Sequence, residues 1–330
     1  PEFNLENEDS TRHRTIPGAV LSSLSLIAAI VLAILFGREV YERKNPNVSV
    51  SKEFIDQSRV NLTDFPLMFT FTDSSINPID PFDYYDFYPV SYSLSQNRNL
   101  SMFSDFPLVN CSEVQYTKYS EFSKSFINLN SQATKYCFKF GETDYVQNEE
   151  GVPNSKVFVL KIAYCNPKVI GRNCLINEDR MKSTVSNPMI LISYVNTFVK
   201  SDDYENPIVP YLNQLNIEVV PGVIKLNTME LTNDLFSSDD GWLLKENRDI
   251  TEVSVSAVNK DIGITGSNSP LNLVYSLVLT SPRLRSKTMR NYLKVQELLA
   301  RVGGVANTVM IFAYVISYHF LRFKYLMFIR

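Results

Sequence analysis

Histidine is nearly absent from the sequence: the 330 residues contain only two, His13 and His319, one near each end. The long stretch between them therefore lacks the general base of Ser–His–Asp and Cys–His catalysis, and it lacks the ligand that most zinc and iron sites use. Paired carboxylates remain available for acid–base hydrolysis. We expect no enzyme, no cofactor and no transition-metal site.

Glycine is also scarce, with 11 residues, and none of them forms a glycine-rich phosphate loop. The pair Gly303-Gly304 lies in an apolar segment, where small residues are typical of helix packing in membranes. Charge of one sign is not in excess, because 32 basic residues face 35 acidic ones. Nucleic-acid binding normally requires a basic surface, so we expect no nucleic-acid partner.

Two long runs without charge lie near the ends of the chain. Residues 17–37 and 302–321 are each about as long as an α-helix must be to cross the hydrocarbon core of a bilayer. The hydrophilic segment before the first run is unlike the short basic start of a cleaved signal peptide, which favours a retained signal anchor. We predict two transmembrane helices, with the tails 1–16 and 322–330 in the cytosol. Basic residues flank the first run on both sides, so they do not fix its orientation.

All four cysteines lie between the two apolar runs, as expected for disulfides in an oxidising compartment. Cys165 and Cys174 flank turn-forming Asn, Pro and Gly residues, so we predict a disulfide between them. Cys111 and Cys137 then form the second pair. Four buried free thiols are the alternative, and a zinc site is disfavoured because no CxxC motif occurs.

Four N-x-S/T sequons occur, a number that chance alone predicts for a chain with 29 asparagines. Their number is therefore no proof of modification, although it is compatible with an extracellular or lumenal domain. The candidate glycosylation sites are Asn47, Asn61, Asn99 and Asn110.

Short alternating or β-branched runs recur through residues 38–280 and are separated by clusters of Pro, Asn, Asp and Ser. This pattern predicts an extracellular or lumenal domain of mostly β structure, a sandwich of antiparallel sheets with two disulfides. The predicted strands are residues 67–72, 156–164, 189–199, 216–220, 251–258 and 273–279.

Residues 281–301 precede the second span and carry many basic side chains. Apolar residues recur at helical spacing from Met289 onward, which predicts an amphipathic stem helix. Its basic face would contact anionic lipid headgroups or an acidic partner, although a solvated face fits the pattern equally well. The residues of that face are Lys287, Arg290, Lys294 and Arg301.

An acidic and aromatic stretch, PIDPFDYYDFYP, occupies residues 78–89. We predict a loop that its aromatic side chains pack against the domain. A Ca²⁺ site is a weak alternative, because the carboxylates lack the alternate spacing of an EF-hand loop. The carboxylates concerned are Asp80, Asp83 and Asp86, together with Asp239 and Asp240. Beside the last two lies Trp242, the single tryptophan, either a core residue or a partner contact.

Three segments resemble a large ciliate-expanded family of two-span membrane proteins of undefined function. They are DDYENPI at 202–208, SDDGW at 238–242 and YLKVQELLA at 292–300, which leads into Gly303-Gly304. Cys174, ahead of the predicted strand at Met189, fits the same pattern. The resemblance covers most of the chain from Cys165 onward.

More distantly, the ends of both spans resemble the Erv41/Erv46-type ER–Golgi cargo receptors. The segments concerned are TIPG at 15–18, REVY at 38–41, Ser281-Pro282 and Gly303-Gly304. This resemblance implies two spans, cytosolic ends and a lumenal β-sandwich.

Together these patterns predict a non-enzymatic, membrane-anchored glycoprotein whose large domain mediates assembly or partner binding as a homo- or hetero-oligomer. The first alternative is a cargo receptor of the secretory pathway. The second is a subunit of an oligomeric two-span ion channel, suggested by Asn307 and Thr308 in the second span. We expect the plasma membrane, the ciliary membrane or the secretory pathway. The mitochondrial inner membrane is the alternative location.

Overall fold

The computed structural model describes residues 16–43, 45–73, 75–95, 99–104, 106–114, 134–148, 153–165, 188–264 and 272–328. One long helix opens this part of the chain, a second closes it, and β-strands fill the space between. In chain order the elements are α1 (Ile16–Glu42), β1 (Asn47–Phe54), β2 (Arg59–Asn61), β3 (Leu67–Thr72), β4 (Tyr85–Leu94), β5 (Leu100–Phe103), β6 (Leu108–Asn110), β7 (Lys135–Phe138), β8 (Tyr145–Gln147), β9 (Ser155–Tyr164), β10 (Met189–Val199), β11 (Ile208–Glu218), β12 (Val223–Asp239), β13 (Asn247–Ile264), β14 (Leu273–Thr280), β15 (Leu284–Asn291) and α2 (Val295–Phe328). Short 3-10 helices cover Leu62–Asp64, Pro81–Asp83 and Cys111–Glu113.

The chain divides into two compact units. The helical unit contains α1, the segment Ser238–Arg248 and the chain from Met289 through α2. The β unit comprises Ser49–Ser237 and Asp249–Thr288.

Both long helices expose apolar side chains on almost every side. Ser23–Glu42 in α1 and Val295–Ile316 in α2 have the length and hydropathy of membrane spans, and almost none of either segment is buried. Such a surface is unfavourable in water and is matched by the hydrocarbon of a bilayer. The chain is therefore a two-span membrane protein, as predicted from residues 17–37 and 302–321.

The strands form two sheets. The larger has the order β1-β15-β12-β14-β9-β4-β5, with β13 on β12, β8 on β9 and β2 on β8, and the smaller has the order β11-β10-β3-β7-β6. Apolar side chains of both sheets share one core, with Phe71 and Ile192 from the smaller sheet and Phe158 and Leu277 from the larger. The domain is thus mostly β and has two sheets, which confirms the predicted class.

The predicted strands overlap observed ones, and the predictions for β3 and β10 are correct to the residue. The prediction of purely antiparallel sheets was wrong at one pair, because β12 and β14 run parallel. β13 lies between these two strands in the sequence, so their connection is long enough for the crossover that a parallel pair requires.

The predicted stem helix over 281–301 was wrong in its first half. Residues Leu284–Asn291 form β15, which lies between β1 and β12, and α2 begins only at Val295. Pairing with a strand on each side satisfies the backbone of this segment, and that tertiary constraint outweighs a local helical pattern. The helical spacing from Tyr292 onward reflects the approach to α2.

Strand geometry places the basic residues of this segment in different surroundings. Arg285 forms an ion pair with Glu53 on β1, with 2.9 Å between Nη2 and Oε2, and Lys287 lies 3.9 Å from the same oxygen. Arg290, by contrast, is fully buried, and its Nε donates to Ser238 Oγ at 3.0 Å. The predicted basic face is therefore not one continuous surface.

We predict that Arg290→Ala lowers the free energy of unfolding by about 3 kcal/mol, because it empties a buried volume and removes a charge-assisted hydrogen bond. Lys287→Ala, which removes a partly exposed charge, should cost less than about 0.5 kcal/mol. Denaturant unfolding in detergent, followed by circular dichroism, measures both. Equal, small effects would contradict the strand assignment and support the helical face.

Candidate functional site

A half-open aromatic cavity lies in the β unit and has a volume of about 310 Å³. We call it the aromatic pocket. Four segments of the chain build it: the 3-10 helix after Asp80, strand β4, the loop before β6, and the pair β6–β7. Its lining residues are Phe82, Phe87, Pro89, Phe106, Leu108 and Phe138.

The rings of the pocket are held by contacts to one another and to the core. Phe82 lies 5.8 Å from Phe87 and 5.6 Å from Tyr136, measured between ring centroids, and each pair is edge-on. On the buried side Phe106 meets Phe158 of the core at 5.4 Å. Edge-to-face packing of this kind fixes ring positions, so the cavity has a defined shape.

Acidic groups flank the aromatic pocket. The Asp80 side chain accepts a hydrogen bond from the Phe82 amide at 3.1 Å and so caps the 3-10 helix. Burial raises the pKa of Asp83, and the negative charge of Asp80 raises it further. The pKa of Tyr136 is raised by burial and then by the same two carboxylates. The pocket therefore opens beside negative charge.

The acidic and aromatic stretch is only partly the loop that we predicted. Its first half forms the 3-10 helix Pro81–Asp83, but β4 begins at Tyr85 and Asp86 is buried within that strand. Among the described residues, no group of three His, Cys, Asp or Glu side chains is arranged to hold a metal ion. The weak Ca²⁺ hypothesis for Asp80, Asp83 and Asp86 thus finds no matching geometry.

Strand β5 borders the pocket and exposes apolar side chains. Leu100, Met102 and Phe103 are all exposed, and in the part of the chain that the structure describes β5 pairs with β4 alone. Phe103 pairs with Ser91, two positions from Pro89 of the pocket. The exposed strand therefore ends beside the aromatic pocket.

A second group of interacting side chains lies within the helical unit, at the loop between β12 and β13. Asp239 accepts backbone hydrogen bonds from Glu246 at 2.9 Å and Gly241 at 3.3 Å, and its other oxygen pairs with Lys294 Nζ at 2.8 Å. We call Tyr41, Arg43, Asp239, Trp242 and Lys294 the junction cluster. Both carboxylate oxygens of Asp239 are therefore engaged by protein groups, one by two backbone amides and the other by an ammonium.

Trp242 connects this loop to both helices. Its ring lies edge-on to Tyr41 in the last turn of α1, 6.4 Å away, and the Arg43 guanidinium lies 5.8 Å from its centroid. Its carbonyl accepts a hydrogen bond of 3.1 Å from the amide of Val295, the first residue of α2. Trp242 is therefore a contact residue at the ends of the two spans rather than a core residue.

The junction cluster changes the acidity of its carboxylate. Burial by itself raises the pKa of Asp239, but the ammonium of Lys294 and the two backbone N–H donors outweigh that effect. The net pKa lies below its ordinary value. Asp239 is accordingly ionised at neutral pH and stabilises the loop as an anion.

The basic residues predicted to contact lipid or a partner thus have separate roles. Lys294 belongs to the junction cluster and Arg290 is buried, where its guanidinium also lies 5.1 Å from the Tyr292 ring. Arg301 is exposed within α2. Sequence reasoning missed Tyr41 and Arg43 as partners of Trp242, because they are distant from it along the chain.

The cysteines agree with the prediction as far as the structure describes them. Cys111 and Cys137 form a disulfide with Cα atoms 4.9 Å apart. Cys165 is also disulfide-bonded, and its predicted partner, Cys174, lies outside the described residues. The pairing of Cys165 with Cys174 stays a prediction.

The four sequons differ in accessibility. Asn47, Asn99 and Asn110 are exposed, whereas Asn61 is half-buried in β2. The Asn110 side-chain oxygen accepts hydrogen bonds from the amide and hydroxyl of Ser112, both at 3.0 Å. Modification of any of these sites stays a prediction.

Comparison with known proteins identifies a family. The family model described as "Uncharacterised 80 kDa protein N-terminal domain" matches residues 53–278, about two thirds of the chain. The chain belongs to this family. Two of the segments that carry the ciliate-family resemblance, 202–208 and 238–242, lie within the range matched by this 80 kDa-protein family. The ciliate connection itself stays a prediction. A comparison with curated proteins finds no match.

Two solved structures are similar to the chain at low sequence identity. A cryo-EM structure of a proton-activated chloride channel is 14% identical with a TM-score of 0.32, and the match covers 96% of this chain and 100% of that one. The crystal structure of Erv41p is 8% identical with a TM-score of 0.28, over 74% and 99% of the two chains. Similarity at this level assigns neither an activity nor a partner.

We predict that Asp239→Asn destabilises the chain by about 2 kcal/mol at pH 7, because a buried ion pair loses its charge. A carboxylate with a lowered pKa stabilises the folded state above the unfolded pKa of about 4, and this contribution is lost as pH falls through the folded pKa. The difference between wild type and variant should therefore shrink below about pH 4. Denaturant unfolding at several pH values measures it.

Asp240→Asn is the matched control. Asp240 accepts a hydrogen bond of 2.6 Å from Ser238 Oγ, and an amide oxygen can accept the same bond. This variant should cost less than about 0.5 kcal/mol. A loss of stability in Asp239→Asn that does not change with pH would contradict the role assigned to the ion pair of Asp239.

Proposed function

We propose that this chain is a non-enzymatic, membrane-anchored assembly subunit whose β unit binds a partner protein along β5 and the aromatic pocket. The partner is a second copy of this chain or another subunit. The observation that carries the proposal is the exposed apolar strand that ends beside an open aromatic cavity.

The exposed strand supports partner binding because edge strands with apolar side chains attract further strands. Natural proteins usually protect such edges with charge, proline or a covering segment, and β5 (LSMF) has neither charge nor proline. A partner strand added along β5 would satisfy backbone groups and bury Leu100, Met102 and Phe103. This is the β-augmentation mode of recognition.

The aromatic pocket supports selectivity for the partner. Its volume of about 310 Å³ is enough for one large apolar side chain, and an anchor in such a pocket commonly contributes a large share of binding energy. The carboxylates of Asp80 and Asp83 beside it favour a partner that carries a basic residue next to the apolar anchor. Strand pairing would supply affinity and the pocket would supply specificity.

The absence of histidine between the spans supports a non-enzymatic role. The junction carboxylate Asp239 is engaged by Lys294 and two amides, and such pairing is typical of a structural group rather than an acid–base catalyst.

We further propose on which side of the membrane the β unit lies and which of its sequons are glycosylated. Disulfide bonding at Cys111, Cys137 and Cys165 supports a β unit on the extracellular or lumenal side, with cytosolic tails. Asn99 immediately precedes β5, where a glycan and a partner strand would exclude each other. We therefore place glycosylation at the other sequons.

The cargo-receptor alternative differs only in the partner. If the β unit binds a secretory protein, the chain would act as a cargo receptor.

A second candidate, a subunit of an oligomeric channel, is supported by the outer face of α2. α1 and α2 pack together, and the half-buried positions of α2 include Val302, Ala306 and Ala313. At 100° per residue, Gly303, Asn307 and Tyr314 lie on a different face, and all three are exposed.

The glycine pair on that outer face leaves room for another helix. A Cβ added at Gly303 or Gly304 would meet nothing within 4 Å, which is the geometry that lets membrane helices approach closely. Contact between copies along this face serves both an assembly subunit and a channel. Current through planar bilayers that contain the purified protein would favour the channel, and its absence would favour assembly alone.

Site-specific photo-cross-linking tests the proposed surface. Phe103→p-benzoylphenylalanine should cross-link to a partner in membranes of cells that make the chain, and the mass of the product tells a second copy from another subunit. Phe54→p-benzoylphenylalanine, at another exposed phenylalanine of the β unit, is the control and should give little product.

A charged substitution on β5 provides a second test of the proposed surface. Adding Met102→Lys should lower the cross-link yield from position 103 about tenfold, because an unpaired charge would be buried at the interface. Ile262→Lys puts the same charge at another exposed apolar position of the β unit, on β13, and should have little effect. Equal yields from positions 54 and 103, or no product at 103, would overturn the proposal.

A further inference from the structure

The loop between β12 and β13 presents three consecutive large apolar side chains to solvent. Trp242 is 46% exposed, Leu243 is 56% exposed and Leu244 is 80% exposed. We infer that this loop, residues 241–246, inserts its Trp-Leu-Leu tip into the interfacial region of the bilayer that α1 and α2 cross. The tip would act as a third membrane contact.

Hydrogen bonds close the base of the loop, so the loop has a defined conformation. The Asp240 amide donates to the Glu246 carbonyl at 2.8 Å, and the Glu246 amide donates to Asp239 Oδ1 at 2.9 Å. At Gly241 an added Cβ would lie 1.8 Å from the Leu244 carbonyl oxygen, so only glycine fits. This close approach places the three apolar residues at the end of a compact turn.

Contacts within the helical unit determine the position of Trp242 along the axes of the two spans. Trp242 contacts Tyr41, about 6 Å along α1 beyond Gly37, where the uncharged run ends. Its carbonyl bonds to Val295, about 10 Å along α2 before Val302, where the second uncharged run begins. The first distance lies within the headgroup layer, which is roughly 5–7 Å thick on each side of the hydrocarbon core, and the second lies a few ångströms beyond its outer edge.

The chemistry of the loop matches that layer. Tryptophan prefers the membrane–water boundary because its ring is amphipathic, and tyrosine does the same. Arg43 near the indole and Lys245 after the tip carry charges that suit phosphate groups of lipids. Leu243 and Leu244 supply the apolar area that would enter the acyl boundary. A lipid surface is favoured over a protein partner because the tip is continuous with helices that already contact lipid.

Trp242 is the only tryptophan of the chain, so emission excited at a wavelength that the tyrosines do not absorb reports on the tip alone. The purified chain is reconstituted into phosphatidylcholine vesicles, with or without bromine on the acyl chains near the glycerol. Brominated lipid should reduce Trp242 emission about twofold, since bromine quenches on contact and the interface lies within reach. Bromine near the end of the acyl chains should quench less.

A variant of the tip distinguishes quenching that depends on insertion of Leu243 and Leu244 from quenching that arises only because Trp242 lies near the helices. Leu243→Ser with Leu244→Ser should weaken quenching by shallow bromine and increase quenching by aqueous acrylamide. Ile262→Ser with Ile264→Ser removes two exposed apolar residues from β13 and should change neither value. Circular dichroism and the Cys111–Cys137 disulfide verify that each variant is folded.

Two results would overturn the inference. Emission that is equal in brominated and ordinary vesicles would show that Trp242 does not reach lipid. Quenching that is unchanged by the Leu243 and Leu244 substitutions would show that the tip does not hold Trp242 there. In the first case, protection of Trp242 from acrylamide would indicate a protein partner at the loop.

Discussion

The apolar surface that α1 and α2 leave uncovered is the constraint on which the rest of the structure depends. Neither helix has enough protein around it to remove that surface from water, so lipid must do so. Once both helices cross the bilayer, the strands between them form a domain on one side of it. The disulfide bond between Cys111 and Cys137 supports an oxidising compartment on that side.

The two candidate surfaces follow from the two units of the chain. In the helical unit, Asp239 and Lys294 hold the loop after β12 at the start of α2, and Trp242 contacts the end of α1. In the β unit, the strand β5, which pairs with β4 alone among the described residues, ends beside a largely aromatic cavity. The first surface suits lipid because it adjoins the spans, and the second suits a protein because it combines free strand edge with a side-chain pocket.

The sequence alone predicted those features that local pattern determines. The length of the uncharged runs identified both spans. The bounds of β3 and β10 were predicted to the residue, because buried β-branched and aromatic runs favour strands. β15 was mistaken for a helix because its conformation depends on β1 and β12, which are remote in sequence. The aromatic pocket could not be predicted, since its walls come from separate segments. Trp242 was recognised as a candidate, but only the structure places it beside Tyr41 and Arg43.

We expect the β unit to lie on the non-cytosolic side of the membrane, in a compartment where thiols oxidise. The most direct test traps free thiols in living cells, denatures the chain and counts adducts of a maleimide-polyethylene glycol before and after reduction. We predict no adduct before reduction and adducts on all four cysteines, Cys111, Cys137, Cys165 and Cys174, after it. Four adducts without reduction would instead place the β unit in a reducing compartment, on the cytosolic side.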